Sequence, residues 1–114
     1  METMKREEVK SMIDHNEAYY LINVLAPEQF NKAHIPGSYN IPVADEHFIQ
    51  NVKQRIADKD AKVIVYCANF NCNASPNAAK QLDDAGFNDV VDFAGGVQDW
   101  VEAGYPLQSG GERV

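Results

Sequence analysis

The sequence has 114 residues, 45% of them hydrophobic and 10% aromatic, with 17 acidic side chains against 10 basic ones for a formal charge of −7. That length holds one compact domain around one principal core, and the negative balance repels phosphate backbones and anionic lipid heads, which argues against nucleic acid and membrane as partners. The longest apolar run is far short of the roughly 20 residues needed to cross a bilayer, and no apolar segment follows the basic opening Met1 to Lys10 as a signal peptide requires. The expected setting is therefore the cytoplasm, with a periplasmic form freed of its leader left open.

In Glu7 to Asp14, Val9, Met12 and Ile13 recur at helical spacing, with acidic residues at the front where the helix dipole favours them, and predict a first helix. YYLINVL, residues 19 to 25, is β-branched and aromatic, is closed by Pro27, and reads as a buried strand. Pro27 suits the first turn of a short helix in PEQFNKA. In HIPGSYNIP, His34 to Pro42, two prolines and a glycine forbid a long regular element and leave a shaped loop with room for one short strand. From Asp45 to Asp58 the residues Phe48, Ile49, Val52 and Ile56 make one apolar stripe on a polar helix, with Asp45 placed as its N-cap.

KVIVY, residues 62 to 66, reads as a second buried strand. Ser75-Pro76 opens a helix whose Ala78, Ala79, Leu82 and Ala85 face inward until Gly86 ends it. DVVDF, residues 89 to 93, is a third strand, and Gly95-Gly96 separates it from a last short helix over Val97 to Glu102. The tail QSGGERV, residues 108 to 114, has nothing to bury and is expected to be mobile. Strands alternating with helices at this spacing indicate βαβ crossovers and a parallel sheet covered on both faces.

In such sheets ligands bind beyond the carboxyl ends of the strands, which is where Cys67 falls. A loop from strand end to helix start can turn several backbone N–H groups toward one point, and the helix N-terminus adds about half a positive charge there. A thiol placed so is depressed from its ordinary pKa of about 8.5 and becomes a reactive thiolate at neutral pH. From the residues alone, Cys67 is either such a nucleophile or a small buried hydrophobe at a strand end.

Four blocks resemble the rhodanese family, over residues 4 to 107. NVLAPEQFNKAHIPGSYNIP is similar to the family's early block, with its His-Ile-Pro-Gly turn and Asn-Ile-Pro segment. VIVYC matches the strand that delivers the active cysteine, AAKQLDDAGFNDVVDFAGGVQDW the following helix, strand and Gly-Gly then Trp signature, and GYPL the family's ending. The resemblance implies a three-layer α/β domain with a central parallel five-stranded sheet and helices on both faces. It implies that Cys67 takes a sulfane sulfur from a small donor or a persulfidated protein, holds it as a persulfide and passes it to a thiol acceptor, without a cofactor. The anion cradle is then expected from the backbone of Ala68, Asn69, Phe70, Asn71, Cys72 and Asn73, with Ser75 capping the helix.

The sequence also departs from the family. Aligned backward from Gly86, Ser75 falls on the serine that follows the active loop and Ala74 on its closing arginine, so the loop counted from Cys67 is lengthened. CANFNCNAS holds no Arg or Lys, only the amides Asn69, Asn71 and Asn73, and persulfides are expected to outperform thiosulfate as donors. Without a cation to clamp phosphoryl oxygens, a phosphatase reading is disfavoured. The family's early Asp-Val-Arg is Asn23-Val24-Leu25 here, which removes an ion pair.

Cys72 is a candidate resolving thiol that would make the domain a redox sensor or carrier, or else a side chain that shapes the loop. Zinc is not expected, because a Cys-x4-Cys pair lacks two partners and His15, His34 and His47 show no ligand spacing. His34 is expected as a hydrogen-bonded imidazole in its turn, Trp100 as core packing, and Gly95 and Gly96 as a tight turn beside the Cys67 loop. Asn69 and Phe70, near the apex, are expected either to touch substrate or a partner protein or to form a solvent-facing tip. A non-catalytic interaction module with the same fold is the third functional class the sequence allows.

Overall fold

The computed structural model describes residues Glu2 to Glu112. The two runs richest in β-branched residues fold as expected: Lys62–Tyr66 and Asp89–Phe93 are the fourth and fifth strands, β4 and β5. Before them come β1 (Glu2–Thr3), α1 (Arg6–Asp14), β2 (Tyr20–Asn23), α2 (Pro27–Lys32), β3 (Tyr39–Asn40) and α3 (Phe48–Arg55). Helix α4 (Ala74–Asp84) joins β4 to β5, and α5 (Gly96–Glu102) follows β5. All pairings are parallel, in the order β1-β5-β4-β2-β3, with Ile64 of β4 level with Leu21 on one side and Val91 on the other. This is the five-stranded α/β sheet the resemblance implied.

Successive strand residues point to opposite faces, and the core divides accordingly. Val63, Val65 and Cys67 pack with Ile22, Val52, Ala78 and Leu82, so α3 and α4 cover one face. Ile64 and Tyr66 pack with Leu21, Val9, Met12 and Trp100, so α1 and α5 cover the other. Each fully buried aliphatic side chain in these layers stabilises the fold by about 1.5 to 3 kcal/mol. Trp100 sits edge-on to Phe93 and Tyr105 and donates its indole N–H to Pro106 O at 2.8 Å, which bears out its packing role. His34 is buried, stacked on Phe30, with Nδ1 donating to Phe30 O at 2.9 Å.

Two expectations are corrected. The helix expected from Asp45 to Asp58 is shorter, because Asp45 closes a local turn: its Oδ1 accepts the His47 N–H at 2.8 Å, and α3 begins only at Phe48. Ser75 does not cap α4. Asn73 occupies that position, while Ser75 lies inside the first turn with its side chain buried. The tail, expected to have nothing to bury, makes several contacts as far as it is described. Gln108 and His34 exchange backbone hydrogen bonds at 2.9 Å, Gly110 N–H donates to Asn31 O at 2.7 Å, and Arg55 Nη1 meets Glu112 Oε1 at 2.8 Å. Backbone groups left unpaired around α2 find partners there; Arg113 and Val114 lie outside the described residues. Among the described residues no helix is long and apolar enough to cross a membrane.

Candidate active site

Strand β4 delivers Cys67 at the carboxyl edge of the sheet, and residues 67 to 73 lead from there into α4. The same alternation that buries Val63 and Val65 turns Cys67 toward α4, where its exposure is 0%. Its Sγ lies 3.4 Å from Ser75 Oγ and 3.7 Å from the Cys72 carbonyl oxygen. Helix α5 holds the start of the loop: Val97 N–H donates to Cys67 O at 3.0 Å and Gln98 N–H to Ala68 O at 2.9 Å. Gly96 makes that approach possible, with φ +63° and no Cβ, since a Cβ there would overlap the Cys67 carbonyl oxygen. The tight turn expected at Gly95-Gly96 thus lies against the cysteine loop.

The loop closes on Asn69. Its Oδ1 accepts the Asn71 N–H at 2.9 Å and its carbonyl the Cys72 N–H at 3.1 Å, lifting Phe70 to an apex where it is 72% exposed. Two of the N–H groups expected to face Cys67 are therefore committed within the loop. The N–H groups of Ala68, Ala74 and Ser75 favour a thiolate on the half-buried Cys72, and that of Ser75 favours one on Cys67 as well.

The electrostatics follow this geometry. Burial pushes the Cys67 thiol up, and the neighbouring Cys72 adds to the rise, against weaker help from the Ser75 hydroxyl and N–H. Burial also acts against a Cys72 thiolate, but the hydrogen bond from Cys67 and the three backbone N–H groups outweigh it and hold Cys72 below the ordinary thiol value.

A residue not singled out from the sequence completes the arrangement. Asp92 of β5 is level with Val65, on the face that holds Cys67, and is 3% exposed. Burial raises its pKa, against help from a Ser75 hydrogen bond to the carboxylate, and Oδ1 itself has no hydrogen-bond partner among the described residues. Asp92, Ser75, Cys67 and Cys72 therefore form one connected polar chain inside an apolar layer. The available signal was an acidic residue at an inward position of the apolar run DVVDF, where an unpaired carboxylate is costly.

Asn23, where the resemblance expects an acidic residue, fixes the end of β2 by accepting the Leu25 N–H on Oδ1 at 3.0 Å. An open cleft of about 460 Å³ flanks the apex, lined by Lys5, Arg6, Phe70, Ala94 and Asp99 among others, but by neither cysteine. Its arginine is paired, with Arg6 Nη1 3.2 Å from Asp99 Oδ1.

Residues 5–103 match the model of the rhodanese-like domain. The chain belongs to the rhodanese-like family. This rhodanese-like domain is 31% identical over 106 residues to thiosulfate sulfurtransferase GlpE of Shewanella oneidensis, covering 90% of this chain and 98% of that protein. It is 37% identical over 87 residues to thiosulfate sulfurtransferase PspE of Escherichia coli, covering 72% and 74%. Among solved structures, a rhodanese-related protein from Thermoplasma volcanium superposes with a TM-score of 0.74 at 31% identity, covering 94% of this chain and 97% of that one. The rhodanese-like domain also spans 38% and 48% of two longer curated relatives.

Proposed function

We propose that the chain is a sulfurtransferase that carries a sulfane sulfur as a persulfide in the loop of Cys67 and Cys72. The observation that supports this most is the placing of Cys67 at the carboxyl end of β4 with its Sγ 3.4 Å from Ser75 Oγ in the first turn of α4, in a chain with this family membership. Two relatives named as thiosulfate sulfurtransferases support the same reaction class.

A thiolate attacks the donor's outer sulfur, the donor S–S bond breaks, and the leaving group departs with the electron pair. The persulfide anion left on the enzyme is held by the N–H groups until an acceptor thiolate attacks the outer sulfur and restores the enzyme thiolate. Neither half needs a cofactor. The loop supplies amides but no cationic side chain, so a persulfide on a small thiol or a protein suits it better than the dianion thiosulfate.

Exposure to glutathione persulfide followed by intact-mass measurement tests the reading. The expected result is a gain of one sulfur atom that a thiol acceptor removes, with parallel double-reciprocal plots in steady state. A chain that never takes up sulfur, from this donor or from thiosulfate, would overturn it.

A further inference from the structure

A working sulfur nucleophile needs hydrogen-bond donors and a way in from solvent. Cys67 is fully buried, and its thiol donates to the Cys72 carbonyl oxygen, 3.7 Å from Sγ. We propose that the loop is a gate, closed here, which opens when the peptide plane between Cys72 and Asn73 turns over, taking that oxygen away from Cys67 and bringing the Asn73 N–H to its sulfur. The inference rests on the sulfurtransferase reading and adds the regulation of the same site.

The surrounding hydrogen bonds leave this one plane free to turn. On one side the Cys72 N–H, part of the preceding peptide, donates to Asn69 O at 3.1 Å. On the other the Asn73 carbonyl, part of the following peptide, accepts the Asn77 N–H at 3.1 Å. Between them the Cys72 carbonyl accepts only from the Cys67 thiol, and the Asn73 N–H donates to no group among the described residues. Turning the plane therefore breaks one contact from a weak S–H donor and keeps both anchors.

The residue at 73 suits the motion. Asn73 has φ −89° and ψ −5°, the angles of the third residue of a type I turn, and turning the preceding peptide over gives the type II angles of about +80° and 0°. Glycine and asparagine accept that conformation, whereas a branched Cβ is strained in it. Asn73 is exposed and its side chain makes no capping hydrogen bond to α4, so helix capping does not account for an asparagine there.

The charge on sulfur selects the position of the plane. A thiol has a proton to give and holds the carbonyl oxygen in place. A thiolate or persulfide anion has none, is repelled by that oxygen and is stabilised by an N–H. An N–H also reaches less far than a C=O, so the same turn leaves room beside Sγ for an outer sulfur. Closed, the loop keeps an idle Cys67 protonated and enclosed; adding sulfur draws the chain into the open form.

Two measurements on the full chain test the gate. In the first, sulfur uptake from subsaturating glutathione persulfide is timed by quenching and intact mass for wild type, Asn73→Gly and Asn73→Val. Peptide mass then places the sulfur, expected on Cys67, and a cooperative urea transition shows that each form folds. Asn73→Gly should take up sulfur at least as fast as wild type, and Asn73→Val more slowly by on the order of 10-fold. The second needs no variant. Hydrogen exchange at the Asn73 amide, followed by NMR, should slow by on the order of 10-fold once the chain is loaded and the N–H is bonded to persulfide sulfur. Equal uptake by the glycine and valine variants, sulfur on Cys72 alone, or an Asn73 amide that exchanges equally fast in the loaded chain overturns the gate and leaves the sulfurtransferase reading standing. A chain that takes up no sulfur from glutathione persulfide or thiosulfate removes both.

Discussion

Replacing Gly96 by alanine tests how the fold holds the cysteine loop. At φ +63° an alanine pays roughly 1 to 2 kcal/mol for the left-handed backbone conformation. The new Cβ would overlap the Cys67 carbonyl oxygen, which is backbone and cannot rotate away. Relief requires α5 and the loop to separate, which breaks the bonds from Val97 N–H and Gln98 N–H to Cys67 O and Ala68 O, each worth about 1 kcal/mol net. The expected loss is about 3 to 5 kcal/mol, a large share of the roughly 5 to 15 kcal/mol that stabilises a typical domain. Equilibrium urea unfolding measures it, with Gly111→Ala as the control, since a Cβ at 111 meets open space. The altered position of Ala68 should also slow alkylation of Cys72 at neutral pH. A Gly96→Ala midpoint equal to that of Gly111→Ala would refute the close approach.

Other perturbations act on separate parts of the fold. Trp100→Ala empties the space between Phe93 and Tyr105 and should cost about 3 to 5 kcal/mol in the same unfolding assay. Ending the chain after Leu107 removes the backbone pair to His34 and the contacts to Asn31 and Arg55, and should lower stability by about 2 kcal/mol; an unchanged midpoint would show that the docked tail contributes nothing. For Asp92 the folded pKa is raised above the unfolded value by burial, so its contribution is most favourable below the unfolded pKa and is lost as pH rises through the folded one. Asp92→Asn should therefore be more stable than wild type at neutral pH, with the difference shrinking toward acid; a difference that grows toward acid would contradict this.

What could be read from the sequence follows from how each feature is encoded. KVIVY and DVVDF were legible to the residue, because short runs enriched in β-branched and aromatic residues are too short for a helix to be the better reading. The strands Glu2–Thr3 and Tyr39–Asn40 were not read from periodicity, since two residues carry no pattern. Asp45 was misread as a cap because an acidic residue before an apolar stripe serves equally as the head of a turn. The contacts of the tail were not legible because their partners, His34, Asn31 and Arg55, are distant in sequence.

At the site, the cysteine-bearing loop and its place at the sheet edge were visible, but the direction of its N–H groups was not. That direction depends on backbone angles in residues 68 to 75, where Asn69 draws in two donors that a cradle would need. Asp92 could have been found by giving DVVDF its period of two, which puts the carboxylate on the same face as Val90 and Val65.

Residue-resolved alkylation, following each cysteine by peptide mass as pH is varied, tests the central claim most directly. The structure predicts that Cys72 reacts as a thiolate below the ordinary thiol pKa, while Cys67 stays unreactive until well above it. Cys67 reacting first, with Cys72 titrating at or above the ordinary value, would contradict the arrangement from which the whole mechanism is built.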